Sequence, residues 1–192
     1  MNVTLGVPRL KEIINASKVI STPIIEARLV QNDSMTSARI VKAQIEKTTL
    51  GEISHYIKEV HRSDMSYISI KLDMNAIQNL HLNVNAHSVR FAILSAHGTI
   101  KSPALRALGE KHVMVLGPDL TRLRIFPAEP KESKMGVPAH QKLYFNIQAL
   151  KNALPQVIVK GIPTVSRAVI NEEADSNSGK KIYYLLLEGY GK

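Results

Sequence analysis

"SYISIKLDMNAIQNL", residues 66–80, holds both kinds of regular structure within fifteen positions. Ile68, Ile70 and Leu72 alternate with Ser69, Lys71 and Asp73, the period of two that places apolar side chains on one face of a strand. Asp73 can then accept the free backbone N–H groups of a following first turn, which predicts a short helix to about Leu80. Helices and strands are intermixed along the rest of the chain without a regular strand–helix–strand rhythm. The expected class is therefore α+β, with mixed helices and mainly antiparallel strands.

Upstream of that stretch, Glu52 to His61 carries two patterns at once. Ile53, Tyr56, Ile57 and Val60 fall at helical spacing, whereas the β-branched content favours a strand, and the strand is preferred. Pro8 suits a first helical turn, and Leu10, Ile13 and Ile14 recur at i, i+3, i+4, which predicts an amphipathic helix ending near Ser17 or Lys18. After Ser21–Pro23, Ile25, Ala27 and Leu29 alternate with Glu26 and Arg28, as in a half-buried strand. Asp33 or Ser34 can cap a second helix with a stripe at Ala38, Val41 and Ile45.

Downstream, Asn85 can cap a helix through Val89 and Ile93. "HVMVLG" and "RLRIFP" flank a Gly-Pro-Asp turn and read as adjacent strands. The proline-rich stretch 128–141 is expected to be an exposed loop. A helix through Ile147, Leu150 and Leu154 should stop at Pro155. "QVIVKG", "TVSRAVINEE" and "KKIYYLLLEG" read as strands, the last two joined by "ADSNSG".

The 192 residues are 44% hydrophobic, enough for a packed core, and the absence of Cys excludes disulfide scaffolds and Cys-ligated zinc. A reducing compartment fits. No apolar run approaches the roughly 18–20 residues of a membrane span, and a membrane is not among the expected partners. The formal charge of +9 favours a polyanion, most simply nucleic acid. From Lys134 to Ile170 there are five basic residues, Lys134, Lys142, Lys151, Lys160 and Arg167, and no acidic one, so a basic face built from the C-terminal third is expected.

Catalytic patterns are not found. Asp33, Asp64, Asp73, Asp119 and Asp175 stand apart, without the clustering that holds magnesium for phosphoryl transfer. The seven histidines form no metal-binding spacing. Neither a nucleophile motif nor a phosphate-cradling glycine loop is present, and no small-molecule ligand is expected.

"NVTLGVPRLKEIINASKVISTPII", residues 2–25, resembles the segment that follows the trigger loop in the largest subunit of eukaryotic RNA polymerases. "IVKAQIEKTTLGEI", "VIVKGIPTVSRAVI" and "YYLLLEGYG" resemble the same subunit in the same order, and the wording around "INASK" is most similar to RNA polymerase III. The resemblance implies a non-catalytic cleft and jaw segment of a larger multi-domain subunit, beside downstream duplex DNA and among the other polymerase subunits, in the nucleus. It implies three segments: 1–60, a helix after the trigger loop and the start of a cleft domain; 61–142, a jaw-like variable middle; and 143–192, a helix and strand hairpin returning to the cleft domain. Magnesium and zinc are then expected elsewhere in the whole subunit, with none bound here. Gly6 and Pro8 would form the base of the trigger loop, and Lys18, then Arg9 and Lys11, would contact DNA phosphates, with Lys160 and Arg167 equally readable as solvated charges. A subunit-scaffold module and an independent basic nucleic-acid-binding domain are the alternatives.

Overall fold

The computed structural model describes residues 3–128, 138–174 and 180–190. In chain order the elements are α1 (Val7–Ile14), β1 (Ile24–Arg28), α2 (Met35–Ile45), β2 (Thr48–Thr49), β3 (Ser54–His61), β4 (Ser66–Leu72), α3 (Met74–Asn79), α4 (Ala86–Ser95) and α5 (Pro103–Arg106). There follow β5 (Val113–Leu116), β6 (Arg122–Ile125), α6 (Ala139–Ala153), β7 (Ile158–Lys160), β8 (Val165–Ala174) and β9 (Lys181–Gly189). All the strand pairings are antiparallel, which establishes the α+β class.

The chain forms two compact units, Met1–Lys47 with Gly161–Lys192, and Thr48–Lys160. The sequence-based boundaries at 60 and 142 both fall inside the second unit. Its halves hold together because β3, which runs to His61, pairs along its length with β4, and α6 packs on both strands.

In the first unit a three-stranded sheet has the order β1-β9-β8. β1 pairs with β9 from Ile24↔Glu188 to Arg28↔Tyr184, joining segments about 160 residues apart in sequence. Val165, Ala168, Leu185 and Leu187 form its buried core, against which Val41 and Ile45 of α2 pack. Ser34 occupies the N-cap of α2 and accepts from the Ser37 amide, resolving the choice between Asp33 and Ser34.

The second unit is built on a four-stranded sheet of order β3-β4-β6-β5, and a smaller ladder pairs β2 with β7. Ile68, Ile70 and Leu72 of β4 and Leu123 and Ile125 of β6 are buried. So are Val89 and Ile93 of α4 and Ile147, Leu150 and Leu154 at the end of α6. Removing each such side chain from water is worth about 1.5–3 kcal/mol, so this layer of helix on sheet contributes substantially to the unit's cohesion. Asp73 Oδ1 accepts from the amides of Asn75 and Ala76, and Asn85 and Ser88 cap each other reciprocally at the start of α4.

Two local expectations are corrected. Helix α1 ends at Ile14 rather than near Lys18, because Ala16 takes the left-handed conformation (φ 46°) and turns the chain. The Ser17 amide then bonds the Glu12 carbonyl and the Ala16 amide the Ile13 carbonyl, the paired closure of a Schellman motif. Residues 139–141, assigned to the loop, already form the first turn of α6, whose N-cap is Pro138. The rest of that loop, 129–137, and the turn residues 175–179 lie outside the described residues.

The ambiguity over Glu52–His61 also has a structural explanation. Glu59 lies on the helix-facing side of β3, where Gln148 Nε2 (2.7 Å) and Lys151 Nζ (3.1 Å) of α6 donate to its carboxylate. Val60 lies on the opposite, open face. One charge inward and one apolar residue outward blur the alternation on which a strand assignment depends.

Candidate nucleic-acid interface

α1 begins with Gly6 at φ 70°, ψ −144°, a conformation that L side chains rarely adopt. Pro8 follows in the first turn, where its missing N–H costs nothing. Among the described residues no side chain caps the N-terminus, so the entry depends on the glycine backbone. Thr4 ties the approach to Thr22, through a hydroxyl pair at 2.8 Å and an amide-to-hydroxyl bond at 2.9 Å.

The polar side of α1 is internally bonded. Glu12 accepts from the Ser21 hydroxyl (2.7 Å) and amide (3.1 Å) and from Arg9 Nη1 (2.9 Å). These hydrogen bonds, those from Ser21 foremost, hold its carboxyl below the usual carboxylate range. Arg9 is thereby partly committed, while Lys11 and Lys18 are exposed. Lys11 lies in the last turn of the helix, where a cation complements the dipole. Lys18, expected there, lies beyond the Schellman turn instead.

The apolar side of α1 has no cover among the described residues. Leu10, Ile13 and Ile14 are 59%, 64% and 72% exposed, and α1 buries no residue. Exposed Val3, Leu5, Val7 and Val19 add to the same run of sequence. An amphipathic helix of this kind has a face built for burial, and here that burial is not supplied by its own unit.

The basic face expected from residues 134–170 does not gather on one element. Lys142 and Lys151 are on α6, Lys160 is on β7, Arg167 is on β8 in the other unit, and Lys134 lies outside the described residues. Lys151 is engaged with Glu59 at 3.1 Å. The cations that do converge are ones the sequence reading did not single out: Lys58, Arg62, Lys71, Arg122 and Arg124. Lys58, Arg62, Arg122 and Arg124 line one concavity of about 560 Å³ on the β3-β4-β6-β5 sheet. A signal was available in "RLRI", where Arg122 and Arg124 flank buried Leu123 and so share its opposite face.

Among the described residues no three His, Asp or Glu side chains lie where they could hold a metal ion, and no helix is long and apolar enough to cross a membrane.

No protein-family model matches the chain. Curated proteins do match, over its whole length. The chain is 48% identical over 189 residues to the human protein named DNA-directed RNA polymerase III subunit RPC1, an alignment covering 98% of this chain and 12% of that subunit. Against the subunit of the same name from Debaryomyces hansenii it is 45% identical over 202 residues, covering all of this chain and 13% of the relative. The Saccharomyces cerevisiae subunit is 41% identical over 195 residues, with 12% of its length covered. The chain thus spans about an eighth of the length of these relatives, and it belongs to the family of RNA polymerase III largest subunits, matching one continuous stretch of them.

Proposed function

We propose that this chain is a non-catalytic cleft and jaw segment of the largest subunit of RNA polymerase III, helping to form the downstream DNA channel and anchoring the trigger loop. The enzyme it serves is a DNA-directed nucleotidyltransferase making small RNAs such as tRNA and 5S rRNA. Its partners are the other polymerase subunits and downstream duplex DNA, and its place is the nucleus. Magnesium and zinc belong to other parts of the subunit.

The observation that carries this reading is the bare apolar face of α1 on a helix entered through Gly6. Gly6 lets the chain change direction, Pro8 begins the helix at a set angle, and Leu10, Ile13 and Ile14 offer a surface for another part of the subunit. Lys11 and Lys18 project into solvent with the reach to meet phosphates without reading sequence.

The test is reconstitution of the whole polymerase with two variants of this segment. Leu10→Ser with Ile13→Ser should slow nucleotide addition by disturbing the trigger-loop base. Arg9→Ala, Lys11→Ala and Lys18→Ala together should leave catalysis on short templates intact but lower the salt concentration at which elongation complexes lose DNA. Wild-type behaviour in both would overturn the reading.

A further inference from the structure

The open face of the β3-β4-β6-β5 sheet carries a second, unassigned site. The strand register sets two rows of side chains across it. Lys58 pairs with Ser69 and Ser69 with Arg124, while Tyr56 pairs with Lys71 and Lys71 with Arg122. Residues of one parity share a face, so Lys58, Lys71, Arg122 and Arg124 all project away from the buried layer of Ile68, Ile70, Leu72 and Leu123. Arg62, just beyond β3, joins them.

Three of the five cations lie over aromatic rings. Arg124 lies 5.0 Å and Arg62 6.0 Å from the ring centroid of Tyr67, and Lys58 Nζ lies 4.7 Å from that of Tyr56. Among the described residues none of the five enters an ion pair. Among the described residues the one carboxylate in the lining is Asp119, exposed on the turn that walls the hollow. Concentrated, oriented and unneutralised positive charge in a concavity attracts an anion and orders it by forked guanidinium contacts.

The lining also says which anion. Tyr67 is 4% exposed beneath its two arginines, and the half-buried ring of Tyr56, the other tyrosine of the lining, carries Lys58 Nζ 4.7 Å over its centroid, so the tyrosine faces toward the hollow are taken by cations rather than left open for a nucleic-acid base to stack. Val60, Leu116 and Pro118 place apolar surface among the charges, and a sugar–phosphate chain has nothing to bury against it. A polypeptide does. We propose that this sheet face docks an extended acidic polypeptide segment, its Asp and Glu side chains on Arg122, Arg124, Lys58 and Lys71, with an apolar side chain seated against Val60 and Leu116. This goes beyond the cleft assignment and does not depend on α1.

The full 192-residue chain is titrated, by fluorescence anisotropy, into a labelled Asp/Glu-rich peptide with one central Leu. Matched-charge peptide without the Leu, single-stranded DNA and duplex DNA serve as competitors. Arg122→Ala with Arg124→Ala should weaken peptide binding by roughly tenfold or more, and the corresponding Lys substitutions should restore part of it. Lys58→Ala with Lys71→Ala, which leaves the arginine–Tyr67 stack in place, should weaken it several-fold and so keeps the test valid if the arginine variant does not fold. Removing Arg9, Lys11 and Lys18 should change nothing, which separates this site from the α1 reading. Peptide affinity unchanged by both sheet-face variants overturns the proposal, as does DNA outcompeting the peptide in a manner that depends on the same residues.

Discussion

Glu46 Oε1 accepts the backbone N–H of Ala168 at 3.1 Å, joining the C-cap of α2 to the outer edge of β8. Among the described residues β8 is an edge strand, paired only with β9, and its register shifts between Val165 and Arg167. An edge amide beside such an irregularity has no ladder partner, and the carboxylate supplies one. Glu46→Ala should lower stability by about 1.5–3 kcal/mol, whereas Glu46→Gln, which keeps an acceptor, should recover much of that. Denaturant midpoints of the two variants measure the difference.

Gly161 stands at φ 95°, and a Cβ placed on it would drive into the carbonyl of Glu46 and lie 2.8 Å from Lys47 Cα. The obstruction is backbone, which cannot rotate away. The Ile162 amide also bonds the Ile45 carbonyl there at 2.9 Å, so this close approach is part of how α2 meets the start of β8. Gly161→Ala should cost more than 2 kcal/mol and reduce soluble yield; a melting temperature equal to the parent's would disprove the requirement.

Two substitutions at the ends of α1 should have opposite signs. Ala16 carries a Cβ in the left-handed region, so Ala16→Gly should stabilise the helix end by about 0.5–1 kcal/mol. Gly6→Ala should loosen the helix start by about 1–3 kcal/mol through backbone strain alone, since no described residue lies within 4 Å of an added Cβ. Hydrogen exchange of the α1 amides reads both.

Glu12 should lend α1 a pH dependence. Because its folded carboxyl is depressed, its contribution is fully present above the usual carboxylate range and is lost as pH falls through the lowered value. The Ser21 amide resonance should follow that transition in an NMR titration. Ser21→Ala should move the midpoint of Glu12 upward, because it removes the leading hydrogen bond.

Leu10→Ser with Ile13→Ser should leave the stability of the chain itself within about 0.5 kcal/mol, since both side chains are already mostly in water. A large loss would mean that the face is covered within the chain.

What was legible in the sequence was local. Asp73, Asn85 and Ser34 sit immediately before their helices because their side chains satisfy amides two or three residues away, and the alternation in β4 needs no partner to be read. The resemblance in residues 2–25 likewise pointed to the family before any contact was visible. Where a local rule met a competing one, reading failed: the apolar stripe of α1 gave no sign that Ala16 would turn the chain before Lys18. The tertiary structure alone decided the pairing of β1 with β9, because a strand exposes the same backbone groups to any partner and only burial across a long loop selects one. It also decided the cationic site, since Lys58, Lys71, Arg122 and Arg124 come from three separated strands and become neighbours only when the register of the sheet aligns them.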